Sequence, residues 1–342
     1  MVHLTIEKIK TIKGGNLDMK RTSFIFIMVV FIMVGSLSWA AEDYPKKPIE
    51  IIVPYPAGGT TDLSARIIGE KFKEYLGVPI VVINKPGGGG AVGAVHVIES
   101  KPDGYTILAH TFGVVLRPLF ELSVPYRYTQ LRPIGTLGPF EHIVCINKDL
   151  PIRNLPELVA YAKEHPGNLS YSVSGKGASS YISIELLKIR AKLTDTHLQA
   201  ISYPGDPAAL MALRGKQVQM SVTTTSMALP HIKSKEIKAI AILSKERDPI
   251  LPEVSTSIEQ GFPEVIATSY YLYFAPQNTP NHIVEKLEKA LERSLQDKGV
   301  QEKIKKIEMT IGFKNSRDTQ VLMDTEYNKW SQLVKDGKLI VK

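Results

Sequence analysis

Two glycine-containing turns are the parts of this chain best suited to hold a small anion. Residues 54–62 read Pro-Tyr-Pro-Ala-Gly-Gly-Thr-Thr-Asp, and residues 174–180 read Ser-Gly-Lys-Gly-Ala-Ser-Ser. Such turns let a ligand approach the backbone closely, because glycine and alanine present almost no side chain. Where a helix follows, its free N–H groups and the positive end of its dipole attract anions. Each turn alone could equally be a tight strand-to-helix connection without a ligand.

Each turn needs a strand before it and a helix after it to bind an anion in this way. The apolar, β-branched run at residues 49–53 predicts a buried strand before the first turn. Thr60 or Thr61 could cap the helix that follows, and Gly77 is placed to end it. The second turn has the same surroundings, with a strand predicted before it and a helix at residues 181–191 after it. The sequence therefore repeats one strand–turn–helix plan.

The remaining pattern predicts two α/β units. Residues 49–110 read as β-α-β-α-β, which is typical of a parallel sheet with crossover helices. A second series of the same kind surrounds the second turn. The stretches 133–147 and 269–275 are rich in strand formers and could carry the chain between the units. Amphipathic helices at residues 280–296 and 316–334 are expected to pack on the first unit.

A third glycine-rich stretch raises the question of a dinucleotide site. Gly88, Gly90 and Gly93 fit the pattern G-x-G-x-x-G. We reject this interpretation because the pattern does not lie in the first strand–helix turn of the chain. Asp103, the acid at about the right distance, also lies in a Pro-Asp-Gly turn before the next strand. The glycines are expected to form a flexible loop before a helix at residues 91–100, and no cofactor is predicted.

Composition excludes several classes of protein. Cys145 is the only cysteine, which excludes an intramolecular disulfide framework and a zinc ribbon. The eight histidines are scattered without an HExxH pattern, so no metal site is predicted. The formal net charge is +8, of which residues 1–40 contribute five Lys or Arg and two acids, leaving +5. That mild excess suits an anionic ligand, and no block of like charges predicts nucleic-acid binding.

The N-terminus predicts export. Lys20 and Arg21 precede an uncharged, mostly apolar run at residues 24–37, and Ser38-Trp39-Ala40 follows it. This is the pattern of a cleavable secretory signal, with cleavage expected after Ala40 and a periplasmic location for the mature chain. Met19 is a better start than Met1, so the first 18 residues are interpreted as an upstream extension. An uncleaved membrane anchor is the alternative.

Taken together, a series of short motifs gives the chain a family resemblance. In order and spacing they are similar to those of the solute receptors of tripartite tricarboxylate transporters, the Bug proteins. The motifs are Tyr44-Pro-Lys-Lys-Pro48, Pro56-Ala-Gly-Gly59 with Asp62 and Ala65-Arg66, Asn84-Lys-Pro-Gly87, Pro102-Asp-Gly-Tyr105, Ser174-Gly-Lys-Gly177, Tyr203 with Gly205, Ala228-Leu-Pro-His-Ile232 and Phe274-Ala-Pro276.

The resemblance implies a fold and a function. The fold would be the type II periplasmic-binding-protein fold, an α/β architecture of two domains joined by two crossing strands. Domain I would comprise residues 44–140 plus 267–342, and domain II residues 141–266. A small carboxylate would bind in the cleft between them, and the receptor, a monomer without enzymatic activity, would deliver it to a membrane permease.

The resemblance also implies which residues bind the ligand. They would come from loops of both domains that meet at the cleft. These residues are Tyr55, Ala57, Gly58, Gly59, Thr60, Asp62, Thr111, Ser174, Gly175, Lys176, Gly177, Ala178, Ser179, Tyr203, Gly205, Asp206, Thr224 and Thr225.

Three positions depart from the family pattern. Lys176 stands where relatives often have a small or amide residue, and it could pair with a second ligand carboxylate or be an exposed lysine. Asp206 follows the tyrosine motif where relatives usually lack an acid, and it could select a ligand amine or be a helix N-cap. The run at residues 223–225 is threonine in place of an acid and an asparagine. Ligand identity is therefore left open.

Two other functions remain alternatives. A periplasmic sensor that presents a bound carboxylate to a signalling partner would use the same pocket. An exported hydrolase is disfavoured, because the chain lacks G-x-S-x-G and no Ser/His/Asp set converges on a motif.

Overall fold

A computed structural model describes residues 44–174 and 178–336 of the chain. Within these ranges no helix combines the length and the apolar character that a membrane crossing would require. The predicted signal peptide, its cleavage site after Ala40 and the alternative start at Met19 lie outside the described residues. Gly175, Lys176 and Gly177 of the second turn lie outside them as well.

The strands form two sheets of the same design. In chain order they are β1 (Ile49–Val53), β2 (Ile80–Asn84), β3 (Thr106–Thr111), β4 (Leu131–Phe140), β5 (His142–Asn147), β6 (Ser170–Val173), β7 (Gln199–Ser202), β8 (Met220–Thr224), β9 (Ile237–Ile242) and β10 (Ser269–Pro276). The first sheet has the order β2-β1-β3-β10-β4, and the second has β7-β6-β8-β5-β9.

Each sheet has three parallel strands and two strands that belong to the crossing connections. β1 pairs in parallel with β2 and β3, while β10 is antiparallel to β3 and β4. In the second sheet β6 pairs in parallel with β7 and β8, while β5 is antiparallel to β8 and β9. The parallel strands of each sheet therefore end at one edge, and this confirms the predicted two-domain α/β fold.

Helices cover the sheets and account for the apolar periodicity of the sequence. They are α1 (Thr60–Leu76), α2 (Ala91–Ile98), α3 (Gly113–Phe120), α4 (Leu155–Glu164), α5 (Ser179–Ala191), α6 (Asp206–Arg214), α7 (Thr225–Lys233), α8 (Asn281–Gln296), α9 (Lys298–Lys306) and α10 (Ser316–Lys335). Short 3₁₀ turns at Gly88–Gly90 and Tyr128–Gln130 complete the helical elements of the described chain.

The ends of α1 show how far local sequence rules apply. Gly77 ends the helix as predicted, in the left-handed conformation (φ 73°) that glycine adopts without strain. The prediction that Thr60 or Thr61 caps the other end is wrong, because Gly59 is the N-cap and no side chain accepts a hydrogen bond there. The two threonines are instead the first helical residues, and both are buried.

The chain passes between the sheets through two segments that contact each other. The first joins β4 to β5 at Glu141, and the second enters β10 from Ala267 and Thr268. The Oγ1 of Thr268 donates to Oε2 of Glu141 at 2.8 Å, and Nδ1 of His142 lies 2.7 Å from the carbonyl oxygen of Ala267. These bonds tie the two connections together. The domain boundaries at 140/141 and 266/267 stay predictions.

Glu141 makes this junction sensitive to pH. Burial raises the pKa of Glu141 from 4.5 to about 7, the hydrogen bond from Thr268 opposes that rise, and the negative charge of Asp248 adds to it. A folded-state pKa above the unfolded value means that the stability contribution is complete below about pH 4.5. It is lost as the pH rises through about 7.

We therefore expect Glu141→Gln to raise the free energy of unfolding at pH 8 by about 1–3 kcal/mol, because the glutamine is never charged. Near pH 4, where the glutamic acid is protonated in both states, the variant and the parent should be equally stable. Urea unfolding at the two pH values measures this difference. An equal difference in the free energy of unfolding at both pH values would contradict the assignment of this pH dependence to Glu141.

Candidate functional site

Parallel strands of both sheets direct their C-terminal ends at one cavity, which we call the cleft cavity. Most of its lining comes from residues at or just after the ends of β1, β3, β6, β7 and β8, the position where open α/β sheets bind ligands. Its volume is about 40 Å³, space for roughly two or three water molecules. The lining residues are Tyr55, Pro56, Gly59, Thr60, Thr61, Thr111, Phe140, His142, Ser174, Ala178, Ser179, Gly205, Asp206, Pro207, Thr224 and Ser269.

Three helices begin at the cleft cavity without a side-chain cap. Their N-cap residues are Gly59 for α1, Ala178 for α5 and Gly205 for α6, and none accepts a hydrogen bond from its helix. A fourth helix that begins at the cavity, α7, does have a side-chain cap, because Oγ1 of the lining residue Thr224 accepts from the N–H of Met227. The first N–H groups of α1, α5 and α6 are thus left to a ligand, and the positive ends of the three dipoles favour a negative one.

Tyr55 adds a neutral hydroxyl to the first domain's side of the cavity. Its hydroxyl lies 3.1 Å from Oγ1 of Thr111 and 3.4 Å from Nδ1 of His110. Burial raises the pKa of Tyr55 to about 12, although the hydrogen bond with Thr111 opposes the rise. The hydroxyl therefore stays protonated at neutral pH and can donate to an anion.

The glycine-rich stretch after β2 lies behind this tyrosine and does not line the cavity. A Cβ on Gly90 would lie 2.6 Å from Nε2 of the buried His110, and one on Gly89 would collide with the guanidinium of Arg117. Glycine is needed here because two large polar side chains pack against the backbone. Burial also lowers the pKa of His110 to about 3, so the ring is neutral.

His142 lines the cavity at the start of β5. Its Nδ1 faces the carbonyl oxygen of Ala267, which can only accept, so Nδ1 carries the hydrogen. Burial lowers the pKa of His142 to about 4, and the hydrogen bond to Ala267 only partly offsets this effect. At neutral pH the ring is uncharged and its Nε2 is a hydrogen-bond acceptor.

Asp206 is a carboxyl group among the lining residues of the cavity. It is half-buried, it is the first residue of α6, and it forms a side-chain hydrogen bond with Ser174. Burial raises its pKa to about 6, and the bond with Ser174 opposes this shift. The interpretation of Asp206 as a helix N-cap is wrong, because Gly205 occupies the N-cap and no side chain caps the helix.

Asp62 lies behind the first turn and does not line the cavity. Its Oδ2 accepts from the backbone N–H of Gly58 at 3.0 Å and from Nε of Arg66 at 3.2 Å. Its Oδ1 accepts from Nδ2 of Asn84 at 2.9 Å, and the same amide nitrogen donates to the carbonyl oxygen of Tyr55 at 3.0 Å. Asp62 therefore fixes the shape of the turn that borders the cavity.

The structure brings together ten of the predicted residues at the cleft cavity. Tyr55, Gly59, Thr60, Thr111, Ser174, Ser179, Gly205, Asp206 and Thr224 line the cavity, as does Ala178 at the N-cap of α5. Four further residues lie outside the lining: Ala57 and Gly58 are exposed, Tyr203 is half-buried, and Thr225 is buried. Gly175, Lys176 and Gly177 lie outside the described residues. Ligand contact stays a prediction for all of them.

Sequence reasoning missed the cavity residues on the crossing connections. Phe140, His142 and Ser269 line it, and the ring of Phe140 stacks on that of Tyr271 with centroids 4.2 Å apart. Pro56, Thr61 and Pro207 were missed beside residues that were named. Phe140, His142 and Ser269 could have been predicted, because a ligand held between two domains must also lie near the strands that join them.

Comparison with known proteins identifies the family of this two-domain structure. Residues 64–339 match the sequence profile described as "Tripartite tricarboxylate transporter family receptor". The chain belongs to this receptor family. It is 30% identical over 323 residues to Protein BugT of Bordetella pertussis, an alignment that covers 93% of this chain and 98% of BugT.

Solved structures of similar proteins share the receptor's fold. The periplasmic binding protein BugD superposes with a TM-score of 0.78 at 31% identity, covering 86% of this chain and 99% of BugD. MatC from Rhodopseudomonas palustris, solved with bound malate, superposes with a TM-score of 0.77 at 29% identity, covering 85% of this chain and all of MatC (100%). The receptor is thus similar to periplasmic solute-binding proteins, one of which holds a carboxylate.

Proposed function

We propose that the protein is a periplasmic receptor that captures a small carboxylate in the cleft cavity and delivers it to a permease of the tripartite tricarboxylate type. One observation carries the proposal: helices from both domains begin at one cavity with uncapped N-termini. A carboxylate placed there would accept from N–H groups of α1, α5 and α6, and the Tyr55 hydroxyl would add a fourth donor. Malate bound to MatC supports the same ligand class.

Capture would couple ligand binding to domain closure. The cavity is narrow and is lined by residues at the strand ends of both sheets, so we expect the ligand to enter while the domains are further apart. The connections at Glu141 and Thr268 are the covalent links across which the domains would rotate. A ligand that touches both domains stabilises the closed state alone and shifts the population towards it. A closed, loaded receptor is then distinguishable by the permease.

A thermal-shift screen of carboxylates tests the binding step. An acid present at 100 times its dissociation constant should raise the free energy of unfolding by about 2.7 kcal/mol, because it binds the folded state alone. The screen should include mono-, di- and tricarboxylates, amino acids and aromatic acids. The primary amide of each hit is the matched control, since it keeps the size and loses the charge. A screen in which no acid gives a shift, or in which amides act as well as acids, contradicts the proposal.

Delivery of the ligand to the permease and the expected lack of catalysis are tested by two separate measurements. Deleting the gene should abolish uptake of the identified acid, and restoring it should restore uptake. The same acid, incubated with the receptor at stoichiometric amounts, should be recovered unchanged. Normal uptake in the deletion strain would refute the transport role while leaving the binding result intact.

A further inference from the structure

Asp206 creates a charge conflict with any carboxylate that binds in the cleft cavity. The cleft cavity is built from anion-binding helix N-termini, yet Asp206 lines it as a second, competing carboxyl group. Among the described residues that line the cavity there is no lysine or arginine to neutralise it. Two carboxylates that share a poorly hydrated space repel each other, so one of them must take up a proton or find a cation.

Asp206 and its neighbour His142 present hydrogen-bond acceptors to the cavity. Ser174 forms a side-chain hydrogen bond with the Asp206 carboxyl group and orients it. His142 lines the same cavity as a neutral ring whose Nδ1 is occupied by Ala267, so its Nε2 can only accept. The cavity thus offers donors at the helix N-termini and acceptors at Asp206 and His142. A ligand with groups of both kinds satisfies all of them.

We propose that the ligand of this receptor carries an ammonium group as well as a carboxylate, and that Asp206 binds the ammonium. This inference rests on the proposed function and narrows the ligand class to amino acids. The ligand carboxylate lies against the N-termini of α1, α5 and α6. Its ammonium forms a charge-assisted hydrogen bond with Asp206, which keeps the aspartate ionised in the closed cavity.

Matched pairs of ligands test the ammonium directly. Isothermal titration calorimetry on the exported, purified receptor should compare propanoate with alanine and β-alanine, succinate with aspartate, and glutarate with glutamate. In the pair that fits the cavity best, the amino compound should bind at least tenfold more tightly at pH 7.5. In Asp206→Asn that preference should fall below threefold. Asp149→Asn, which removes an equal charge at an exposed site paired with Lys216, should keep the full preference.

The pH dependence of binding separates the two solutions to the charge conflict. An amino compound needs the ionised aspartate, so its affinity should fall as the pH is lowered from 7.5 to 5.5. A carboxylate without an ammonium needs the protonated aspartate, so its affinity should rise over the same range. Both trends should disappear in Asp206→Asn. A best ligand that lacks an ammonium and gains affinity in acid would overturn the inference and leave carboxylate capture standing.

Lys176, which lies outside the described residues, is the remaining side chain of the second turn that could neutralise Asp206. If it neutralised Asp206, the parent protein would show no ammonium preference and Lys176→Ala would create one, a result that overturns the inference. We expect the preference in the parent and its retention in Lys176→Ala. If none of the acids or amino acids binds, the proposed function itself fails.

Discussion

Replacing Gly59 with leucine should reduce carboxylate binding at least 100-fold while the protein stays folded. Gly59 is buried, lines the cleft cavity and is the N-cap of α1. A Cβ at this position would lie 3.8 Å from the Pro56 carbonyl oxygen and 3.9 Å from Cδ of Pro207, which belongs to the second sheet's side of the cavity. The remaining carbons of leucine would enter a cavity of about 40 Å³ and hold the domains apart.

The fold should tolerate this change because the backbone does not require glycine at residue 59. Its φ of −76° and ψ of 163° are extended values that any residue adopts. Loss of a glycine N-cap costs less than about 1 kcal/mol. Calorimetry with the best acid from the screen measures binding, and urea unfolding measures stability.

Two neighbouring variants serve as controls for Gly59→Leu. Gly59→Ala places its Cβ at ordinary contact distances and should bind within about threefold of the parent. Gly58→Ala lies in open space but at a φ of 88°, so it should cost about 1–2 kcal/mol of stability and leave binding intact. Near-normal affinity in Gly59→Leu would show that the first turn does not contact the ligand.

Local rules predicted the scaffold of the site because each element is determined by residues close in sequence. The apolar run that became β1, the glycine that ends α1 and the repeated strand–turn–helix plan all depend on short-range patterns. The same patterns predicted two turns able to bind an anion. That these turns lie at one cavity depends on sheet order, which a resemblance to known receptors supplied and local pattern did not.

Local rules failed where long-range packing decided the outcome. Thr60 and Thr61 are good capping residues, but both are drawn into the helix and buried, and the start of α1 is left uncapped. Phe140 and Ser269 are far apart in sequence and become partners only when β4 pairs with β10. Uncapped helix starts conflict with local stability, and such conflicts are expected at functional sites.

Asp62 is the residue on which the first turn depends most, and Asp62→Ala should lower the free energy of unfolding by about 2–4 kcal/mol. The side chain is 2% exposed and accepts from Gly58, Arg66 and Asn84. Its removal leaves the Asn84 amide and the Gly58 N–H without this acceptor. Because the turn loses the hydrogen bonds that hold its shape, carboxylate affinity should also fall at least tenfold, although Asp62 does not line the cavity.

The pH dependence of the free energy of unfolding should identify the Asp62 carboxylate as the source of this stabilisation. Burial alone would raise the pKa of Asp62, but hydrogen bonds from Arg66, Gly58 and Asn84 outweigh it and hold the pKa below 3.8. A depressed pKa contributes stability above the unfolded value, and this contribution is lost as the pH falls through the folded value. Urea unfolding should therefore show that Asp62→Ala is much less stable than the parent at pH 7, and the difference should begin to shrink below about pH 4.

Arg66→Ala, which removes a half-exposed partner of Asp62, should lower the free energy of unfolding by less than about 1 kcal/mol. Equal losses for the two variants would assign the stabilisation to the ion pair, and the turn would not depend on its buried acceptor.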